Sequence, residues 1–384
     1  MIFVNQKILE RQKMRQFTVM IKPASSLCNM RCRYCFYSDI ASRRKVSSYG
    51  IMSSETVTSM LSNIFCDLEA MDRITFAFQG GEPLLAGIEF FNFFVRSVNT
   101  LRGDVCVEYT VQTNGTLLDE TWCTFFKKYN FLVGLSMDGS KEFHDANRVD
   151  KDGEGTYQRV VKTKSLLDEY GVEYNILTVL TNELAEQPEK FWKTIRELGI
   201  SYVQLIPCLD EFEGKGIHPF VLTPQRFAYF YIKLFELWKR DYNNKEIVSV
   251  KLFDDLLNLL VYKICTACGI VGYCSPQLVI EADGSAYPCD FYVLDEYKIG
   301  DITNQSLLKL LSSRQASNFL KRPRMQMNMC KSCRYKLICG GGCVRMQREV
   351  CGSKHSIFCG YKCFLDAKMN ELCEMAEQVI VKQG

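Results

Sequence analysis

The sequence predicts an α/β fold in which six strand–helix repeats form an open, partial TIM-type barrel, followed by a smaller cysteine-rich domain. Two observations support this prediction. From residue 17 onward, segments rich in β-branched and aromatic residues alternate with segments of helical periodicity, which favours a parallel sheet. After about residue 250 cysteines become dense, glycines cluster and the helical periodicity weakens, which indicates a region built around metal.

Each predicted strand is short and is followed by a stretch in which apolar residues recur at helical spacing. The predicted strands are Phe17–Lys22, Arg73–Gln79, Val107–Thr113, Phe131–Met137, Val172–Leu180 and Tyr202–Pro207. The first five predicted helices are Ser54–Glu69, Glu89–Leu101, Asp119–Lys128, Tyr157–Tyr170 and Pro188–Leu198. A sixth helix should start at Thr223-Pro224, because threonine caps a helix N-terminus and proline suits its first position.

The expected organisation has four parts: an N-terminal extension (1–16), the partial barrel (17–245), the cysteine-rich domain (246–363) and a closing helix (364–384). The 384 residues, 47% hydrophobic and 24% charged, suit an ordinary globular protein. The net charge of +3 gives no argument for nucleic acid or an anionic membrane. Because 19 cysteines accompany no secretory signal, metal chemistry and a cytoplasmic location are expected.

Three cysteines lie within eight residues after the first predicted strand. Cys28, Cys32 and Cys35 have the spacing C-x3-C-x2-C, with Tyr34 before the last of them. Three thiolates on one loop can hold three corners of a 4Fe–4S cluster and leave the fourth iron open to a small molecule. A zinc site and chance clustering are the alternatives, although no fourth zinc ligand follows at the usual spacing.

Other polar and glycine-rich motifs follow the remaining strands. They are Gly80–Pro83, Asn114–Thr116, Asp138-Gly139 and Cys208–Asp210. In barrels of this kind the reactive residues lie where the strands end, so these motifs should face the three-cysteine loop.

The cysteine-rich domain contains a second and a third group of candidate ligands. The spacing Cys330-x2-Cys333-x5-Cys339-x3-Cys343 encloses three glycines, which let the backbone fold tightly around a cluster. Cys268 and Cys274 precede a predicted hairpin, Leu278–Tyr287, and Cys289 follows it. By spacing alone zinc and iron compete here; the three-cysteine loop favours iron.

Taken together, these motifs resemble the radical S-adenosylmethionine (radical SAM) enzymes with a SPASM extension, and within that group the anaerobic sulfatase-maturating enzymes. The similarity covers roughly residues 17 to 365. The matching strings are Ile21–Ser26, Cys35–Tyr37, Tyr49–Met52, Phe76–Pro83, Gln112–Thr116, Gly134–Gly139 and Tyr287–Asp295.

The resemblance implies specific roles for individual residues. Cys28, Cys32 and Cys35 would bind the radical-generating cluster. The residues expected to contact S-adenosylmethionine are Tyr34, Gly81, Ser136, Arg148 and Leu209. The first auxiliary 4Fe–4S cluster would take Cys268, Cys274, Cys289 and Cys343. The second would take Cys330, Cys333, Cys339 and Cys359, with Cys351 or Cys363 as rivals for the last position and Cys265 as a rival to Cys268.

The resemblance also implies the reaction, the oxidation of a Cys or Ser in a sulfatase motif (Cys/Ser-x-Pro/Ala-x-Arg) to Cα-formylglycine. Asp290 matches the general base, since a carboxylate beside a cluster ligand can reach the substrate proton. Tyr37 and Gln79 are expected on the substrate side. A flavodoxin- or ferredoxin-type protein is the expected reductant, and neither nucleic acid nor a membrane is expected as a partner.

Two other classes remain open at this stage. One is a different SPASM peptide maturase, such as a thioether-forming enzyme. The other is a non-catalytic Fe–S, zinc or electron-transfer protein. The string from Tyr287 to Asp295 favours the sulfatase role. Two features depart from the family pattern, the N-terminal extension and Ser275-Pro276 after Cys274.

Overall fold

The computed structural model of the chain describes residues 14–212, 214, 218–265, 267–274, 277–322 and 327–383. Most of the expected N-terminal extension, residues 1–13, lies outside these ranges, and so does Ser275-Pro276. The strands are β1 (Gln16–Ile21), β2 (Arg73–Phe78), β3 (Cys106–Thr113), β4 (Phe131–Ser136), β5 (Tyr174–Leu180), β6 (Tyr202–Pro207), β7 (Ser249–Val250), β8 (Leu278–Ile280), β9 (Ser285–Tyr287) and β10 (Gly300–Asp301).

The helices alternate with the first six strands and then crowd the C-terminal part. They are α1 (Phe36–Ser42), α2 (Ser54–Phe65), α3 (Ile88–Leu101), α4 (Glu120–Lys128), α5 (Lys141–Asn147), α6 (Tyr157–Glu169), α7 (Pro188–Glu197), α8 (Pro224–Asn243), α9 (Lys251–Tyr262), α10 (Cys268–Val271), α11 (Leu307–Leu311), α12 (Arg314–Lys321), α13 (Lys336–Cys339), α14 (Gln347–Val350) and α15 (Gly360–Gln383). None of the helices in the described ranges is long and apolar enough to cross a bilayer.

One sheet connects all ten strands in the order β10-β9-β8-β1-β2-β3-β4-β5-β6-β7. Neighbours from β1 to β7 are parallel, and only β8–β9 and β9–β10 pair antiparallel. The predicted partial barrel is therefore confirmed. Because β7 pairs with β6, the sheet continues past residue 245, where the first domain was expected to end.

The barrel core forms because alternate strand residues point to the helices. In β2, Ile74, Phe76 and Phe78 are buried, whereas their neighbours are only partly covered. The Phe76 ring meets Phe94 of α3 edge-on, with ring centroids 5.1 Å apart. Such aromatic packing buries large apolar areas and fixes the helix on the sheet.

Polar caps set where the predicted helices begin. Ser53 Oγ accepts the Thr56 amide at 3.1 Å, and Asp119 Oδ1 accepts the Trp122 amide at 3.0 Å. Thr223 caps α8 as expected, with its hydroxyl accepting the Arg226 amide.

Eight of the fifteen helices in the described ranges were not predicted, namely α1, α5 and α9 to α14. The periodicity was expected to weaken after residue 250, but α9 spans twelve residues there, so that expectation was wrong. Its apolar positions bury Phe253 and Leu256 against the barrel and α15, where Phe253 and Phe364 stack 6.1 Å apart. The others have at most eight residues, and α1 and α5 have seven each, which is too short to show a clear period.

The hairpin β8–β9 joins the barrel instead of standing apart from it. Strand β8 pairs parallel with β1, with Val19 opposite Leu278 and Ile21 opposite Ile280. The Lys22 amide donates to the Ile280 carbonyl at 2.8 Å, which extends this pairing past the strand. The C-terminal end of β1 therefore lies beside the segment that follows the hairpin.

Candidate active site

The three-cysteine loop is fixed at the end of β1 by the glycine-rich loop that follows β2. The Gly81 amide donates to the Ser25 carbonyl at 3.0 Å, and the Glu82 amide donates to the Leu27 carbonyl at 2.7 Å. A Cβ at Gly81 would lie 2.0 Å from the Leu27 carbonyl oxygen. Only glycine permits this approach, so the sequence Gly80-Gly81 is needed to seat the cysteine loop.

The carboxylate of Glu82 ties the same loop to the end of β3. It accepts hydrogen bonds from the Thr113 hydroxyl and from the Asn114 and Leu84 amides, at 2.8 to 3.0 Å. Complete burial raises the pKa of Glu82 to about 7. Asn114 Nδ2 in turn approaches Cys28 Sγ at 3.9 Å. Three strand ends are thus linked around the cysteines.

A cavity of about 560 Å³ opens at this edge of the sheet. Cys28, Cys32 and Cys35 line it. All five residues expected to contact S-adenosylmethionine also line it, namely Tyr34, Gly81, Ser136, Arg148 and Leu209. So do Tyr37 and Gln79. The volume is that of a small-molecule site, so one cavity brings together the expected ligands and the expected cofactor contacts.

A buried ion pair forms one wall of this cavity. Arg148 Nη2 donates to Asp138 Oδ1 at 3.1 Å, and the Tyr34 hydroxyl donates to Asp138 Oδ2. The Val179 amide also donates to Asp138, at 2.9 Å. Burial alone would lower the pKa of Arg148, but the Asp138 carboxylate raises it above its usual value. The guanidinium therefore stays charged beside the three thiols. Asp138 was expected at this edge of the sheet from the sequence, but its pairing with Arg148 was not.

Asp290 lies deep beside the same cavity, held by three side chains. Lys22 Nζ is 2.7 Å from Asp290 Oδ1. The Tyr37 hydroxyl and Gln79 Nε2, at 3.2 Å, both donate to Asp290 Oδ2. Gln79 also donates to the Tyr37 hydroxyl at 2.8 Å. The hairpin brings Asp290 to Lys22 across 268 residues of sequence.

Lys22 is the main site residue that the sequence reasoning missed. Its side chain is 2% exposed, and Nζ lies 3.8 Å from the centre of the Tyr37 ring. One feature of the sequence could have revealed this residue. Lys22 ends an otherwise apolar predicted strand, at the edge of the sheet where the motifs meet. A charged group there must be paired when it is buried.

The cysteines of the first distal set lie close to one another. Burial, with smaller contributions from the neighbouring Cys343 and Cys274, raises the pKa of Cys268 to about 11. Cys289 is likewise close to Cys343 and Cys268. Cys268 and its rival Cys265 are both exposed and are neighbours, and the Cys265 thiol donates to the Ala267 carbonyl at 3.1 Å. The four expected ligands are therefore neighbours in space, although they span 76 residues of sequence.

The second set surrounds a small recess of about 20 Å³. Cys330, Cys333, Cys339 and Cys359 line it. Cys351 lines it too, and its thiol is hydrogen-bonded to Cys339 and Cys359. Cys363 is not part of the lining. Five cysteines thus meet where a cluster needs four.

The members of these sets are all free thiols, which is the donor chemistry of iron–sulfur clusters. A zinc ion needs its ligands about 2.3 Å away, whereas a multi-iron cluster takes one thiolate per iron corner and spreads them. Burial raises the pKa of Cys28 to about 11 and of Cys32 to about 12. Both therefore need the positive charge of a bound metal to be thiolates at neutral pH.

Comparison with known proteins agrees with this geometry. The model of the Radical SAM superfamily matches residues 23–198, and that of an iron–sulfur cluster-binding domain, SPASM, matches residues 272–334. A cysteine-type anaerobic sulfatase-maturating enzyme of Clostridium novyi is 40% identical over 96% of this chain and all of its own length. A serine-type enzyme of Bacteroides thetaiotaomicron is 29% identical over 85% of this chain and 82% of its own.

Solved structures show the same relationship. The structure of anSMEcpe with bound AdoMet and Cp18Cys peptide matches with a TM-score of 0.85 and 36% identity, covering 95% of this chain and 99% of the other. Streptococcus suis SuiB matches with a TM-score of 0.58 and 18% identity, covering 86% of this chain and 73% of the other, and this likeness concerns the fold alone.

Proposed function

The chain belongs to the anaerobic sulfatase-maturating enzymes of the radical SAM superfamily, and from that premise we propose that it oxidises a cysteine or serine of a sulfatase peptide to Cα-formylglycine. The 40% identity to a cysteine-type enzyme over nearly the whole of both chains carries this proposal. The cofactors of this family are three 4Fe–4S clusters and S-adenosylmethionine. When bound and reduced, the first cluster cleaves S-adenosylmethionine and so supplies the radical that removes a hydrogen atom from the substrate Cβ.

The cysteine sets described above are proposed as the ligands. Cys28, Cys32 and Cys35 would hold the first cluster. Cys268, Cys274, Cys289 and Cys343 would hold the first auxiliary cluster, and Cys330, Cys333, Cys339 and Cys359 the second. Tyr34, Gly81, Ser136, Arg148 and Leu209 would contact S-adenosylmethionine. Their shared cavity supports this proposal, because a radical reaction requires the cofactor and the substrate to meet in one enclosed space.

Asp290 would be the general base that takes the proton from the substrate thiol or hydroxyl. A carboxylate has about four acceptor sites. Lys22 occupies one site on Oδ1, and Tyr37 and Gln79 occupy both sites on Oδ2. One site on Oδ1 is left, so we expect the substrate proton to reach that oxygen. Lys22 pairs with the buried carboxylate, and Tyr37 and Gln79 fix its orientation.

The relatives favour cysteine as the residue that is oxidised. Those at 38 to 40% identity are cysteine-type enzymes, whereas the serine-type enzymes are 29% identical or less. We therefore expect a cysteine within a Cys-x-Pro/Ala-x-Arg motif to be the preferred substrate. A flavodoxin- or ferredoxin-type protein would supply the electrons. The many cysteines free of disulfides support a cytoplasmic location.

The domain boundaries stay a proposal: the partial barrel over 17–245, the SPASM domain over 246–363 and the closing helix from 364. The helix α15 begins at Gly360, and β7 continues the barrel sheet. Limited proteolysis of the holoenzyme would locate the exposed connections between these parts.

Paired peptides test the function. The anaerobically reconstituted enzyme is incubated with S-adenosylmethionine, a reductant and either a Cys-x-Pro-x-Arg or a Ser-x-Pro-x-Arg peptide. Mass spectrometry should show the aldehyde, formed faster from the cysteine peptide. If deoxyadenosine forms while both peptides stay unchanged, the sulfatase assignment is wrong.

A further inference from the structure

His144 is a buried, ionisable side chain that has no part in the reaction proposed above. The chain has three histidines, and His144 in α5 is completely buried, whereas His218 and His355 are exposed. Its ring lies outside the lining of the cavity. A buried imidazole needs hydrogen-bond partners for its ring nitrogens, so the partners of His144 show what it holds in place.

Both ring nitrogens of His144 have a partner. The Asp138 amide donates to Nδ1 at 3.4 Å, and Nε2 lies 2.9 Å from Thr156 Oγ1. Because an amide can only donate, Nδ1 is the acceptor, and Nε2 carries the proton and donates to Thr156. The Thr156 hydroxyl donates in turn to the Arg148 carbonyl at 3.0 Å. Burial, with a smaller contribution from Arg148, lowers the pKa of His144 to about 4, which keeps the ring neutral near pH 7. We call these four residues the histidine circuit.

The histidine circuit joins the backbones of the two residues whose side chains form the buried ion pair. His144 holds the Asp138 amide and Thr156 holds the Arg148 carbonyl, while the two charged side chains meet at 3.1 Å. Helix α5 ends at Asn147, so Arg148 lies just beyond it, with non-helical backbone angles. Carbonyls at the end of a helix lack partners within the helix, and the Thr156 hydroxyl supplies one here. The orientation of Arg148 therefore depends on its link to His144.

The loop that carries Thr156 is packed closely on α5. A Cβ at Gly155 would lie 2.3 Å from Asp145 Cγ, so only glycine permits this approach. The Tyr157 amide donates to Asp145 Oδ1 at 2.8 Å, and the Tyr157 ring meets the His144 ring edge-on, with centroids 5.7 Å apart. The residues on both sides of Thr156 thus contact α5, and these contacts hold its hydroxyl beside His144.

We propose that His144 is a positioning residue for the cofactor: through Thr156 and the Asp138 amide it fixes the backbone of the ion pair, and so orients the Arg148 guanidinium toward the carboxylate of S-adenosylmethionine. This inference rests on the proposed function, in which Arg148 contacts the cofactor. Arg148 lines the cavity, and a guanidinium binds a carboxylate best when its planar fork is already oriented. His144 acts at a distance from the cofactor, so its loss should weaken cofactor binding and spare the chemistry that follows.

Two variants that preserve side-chain shape test the circuit. His144→Phe keeps a planar ring but removes both hydrogen bonds, and Thr156→Val removes only the hydroxyl. Binding of S-adenosylmethionine to the anaerobically reconstituted holoenzyme is measured by isothermal calorimetry without reductant, so that the cofactor is not cleaved. We expect each variant to raise the Kd about tenfold, because each leaves buried polar groups without a partner. The double variant should bind about as weakly as His144→Phe, because the circuit is already broken.

A buried threonine in the same helix gives a matched control. The Thr163 hydroxyl also donates to a backbone carbonyl, that of Gly115, at 2.7 Å, but it takes no part in the histidine circuit. Thr163→Val should keep the Kd within about twofold of the wild type. His144→Gln retains an amide donor that can reach Thr156, so it should bind S-adenosylmethionine at least about threefold more tightly than His144→Phe.

Steady-state formation of deoxyadenosine, with dithionite as reductant, supplies a second readout. In His144→Phe and Thr156→Val the KM for S-adenosylmethionine should rise about as much as the Kd, while kcat stays within about twofold of the wild type. A purely structural loss of active enzyme would lower kcat and leave KM unchanged, and that result would overturn the proposal.

Other outcomes would also overturn it. An unchanged Kd in Thr156→Val would do so even if His144→Phe does not fold, as would additive losses in the double variant. Equal weakening in Thr163→Val would show that any lost buried hydroxyl disturbs the cavity. If the wild type cleaves S-adenosylmethionine but makes no aldehyde, the proposed function fails, while the measured affinities still decide the role of His144.

Discussion

The two sides of the cavity are built in different ways. On the barrel side, the cysteine loop is held by backbone hydrogen bonds from the next loop along the sheet, through Gly81 and Glu82. On the hairpin side, Asp290 arrives from 268 residues away, through the pairing of β8 with β1 and a buried ion pair with Lys22. A second buried pair, Arg44–Glu281, joins the same two parts. In the proposed function, the barrel side would start the radical and the hairpin side would determine what becomes of it.

Loss of a ligand on the barrel side should have the largest effect. In Cys32→Ala the first cluster loses one of its three thiolates, so we expect neither deoxyadenosine nor aldehyde. Both products are measured by liquid chromatography and mass spectrometry. Cys66→Ala, which removes an exposed cysteine outside the cavity, is the control and should keep both. Deoxyadenosine formation by Cys32→Ala at the wild-type rate would remove Cys32 from the cluster.

Breaking the contact between the two sides should cost stability. Lys22→Met leaves the buried Asp290 carboxylate without its cation, and removal of one partner of a buried pair costs about 3 kcal/mol of unfolding free energy. Chemical denaturation of the holoenzyme measures this loss. Lys141→Met removes an exposed pair with Asp145 and should cost less than about 1 kcal/mol. The double variant Lys22→Met/Asp290→Asn should recover much of the loss; additive losses would show that the two groups do not interact.

A glycine on the barrel side offers a smaller perturbation. In Gly81→Ala the new Cβ meets the Leu27 carbonyl, and we expect a loss of about 1–3 kcal/mol in unfolding free energy, with weaker binding of S-adenosylmethionine. Gly50→Ala is the comparison, because its Cβ meets nothing within 4 Å and tests only the cost of a positive φ. If Gly81→Ala lowers the unfolding free energy no more than Gly50→Ala does, close packing of the two loops is not what holds the cysteine loop in place.

Cys351, the fifth cysteine that lines the distal recess, gives the most local test. We expect Cys359→Ala to lower the iron content by about four atoms per chain, because a 4Fe–4S cluster needs all its thiolates. Cys351→Ala should keep the iron, since the proposed set Cys330, Cys333, Cys339 and Cys359 supplies four thiolates without it. Colorimetric iron analysis after anaerobic reconstitution distinguishes these two variants. Loss of iron in Cys351→Ala but not in Cys359→Ala would make Cys351 the fourth ligand instead of Cys359.

The two sides also differ in how far the sequence predicts them. Six strands and six helices of the barrel follow from local periodicity and caps such as Thr223, because each element is defined by neighbouring residues. The pairing of β8 with β1 could not be predicted, since three buried residues in each strand suit many partners. Lys22 was missed for the same reason: its burial depends on a carboxylate that only this pairing supplies. The role of Asp290 came from family resemblance, not from its local sequence.

The most direct test of the account separates the start of the radical from its use. Asp290→Asn keeps the shape of the side chain but removes the base, so aldehyde formation should fall by about 10²–10⁴-fold while deoxyadenosine still forms at a near wild-type rate. Asp295→Asn, an exposed carboxylate five residues away, should change neither. Both products are quantified in the same anaerobic reaction with the cysteine peptide. Undiminished aldehyde from Asp290→Asn, or loss of deoxyadenosine together with it, would contradict the division of labour between the two sides of the cavity.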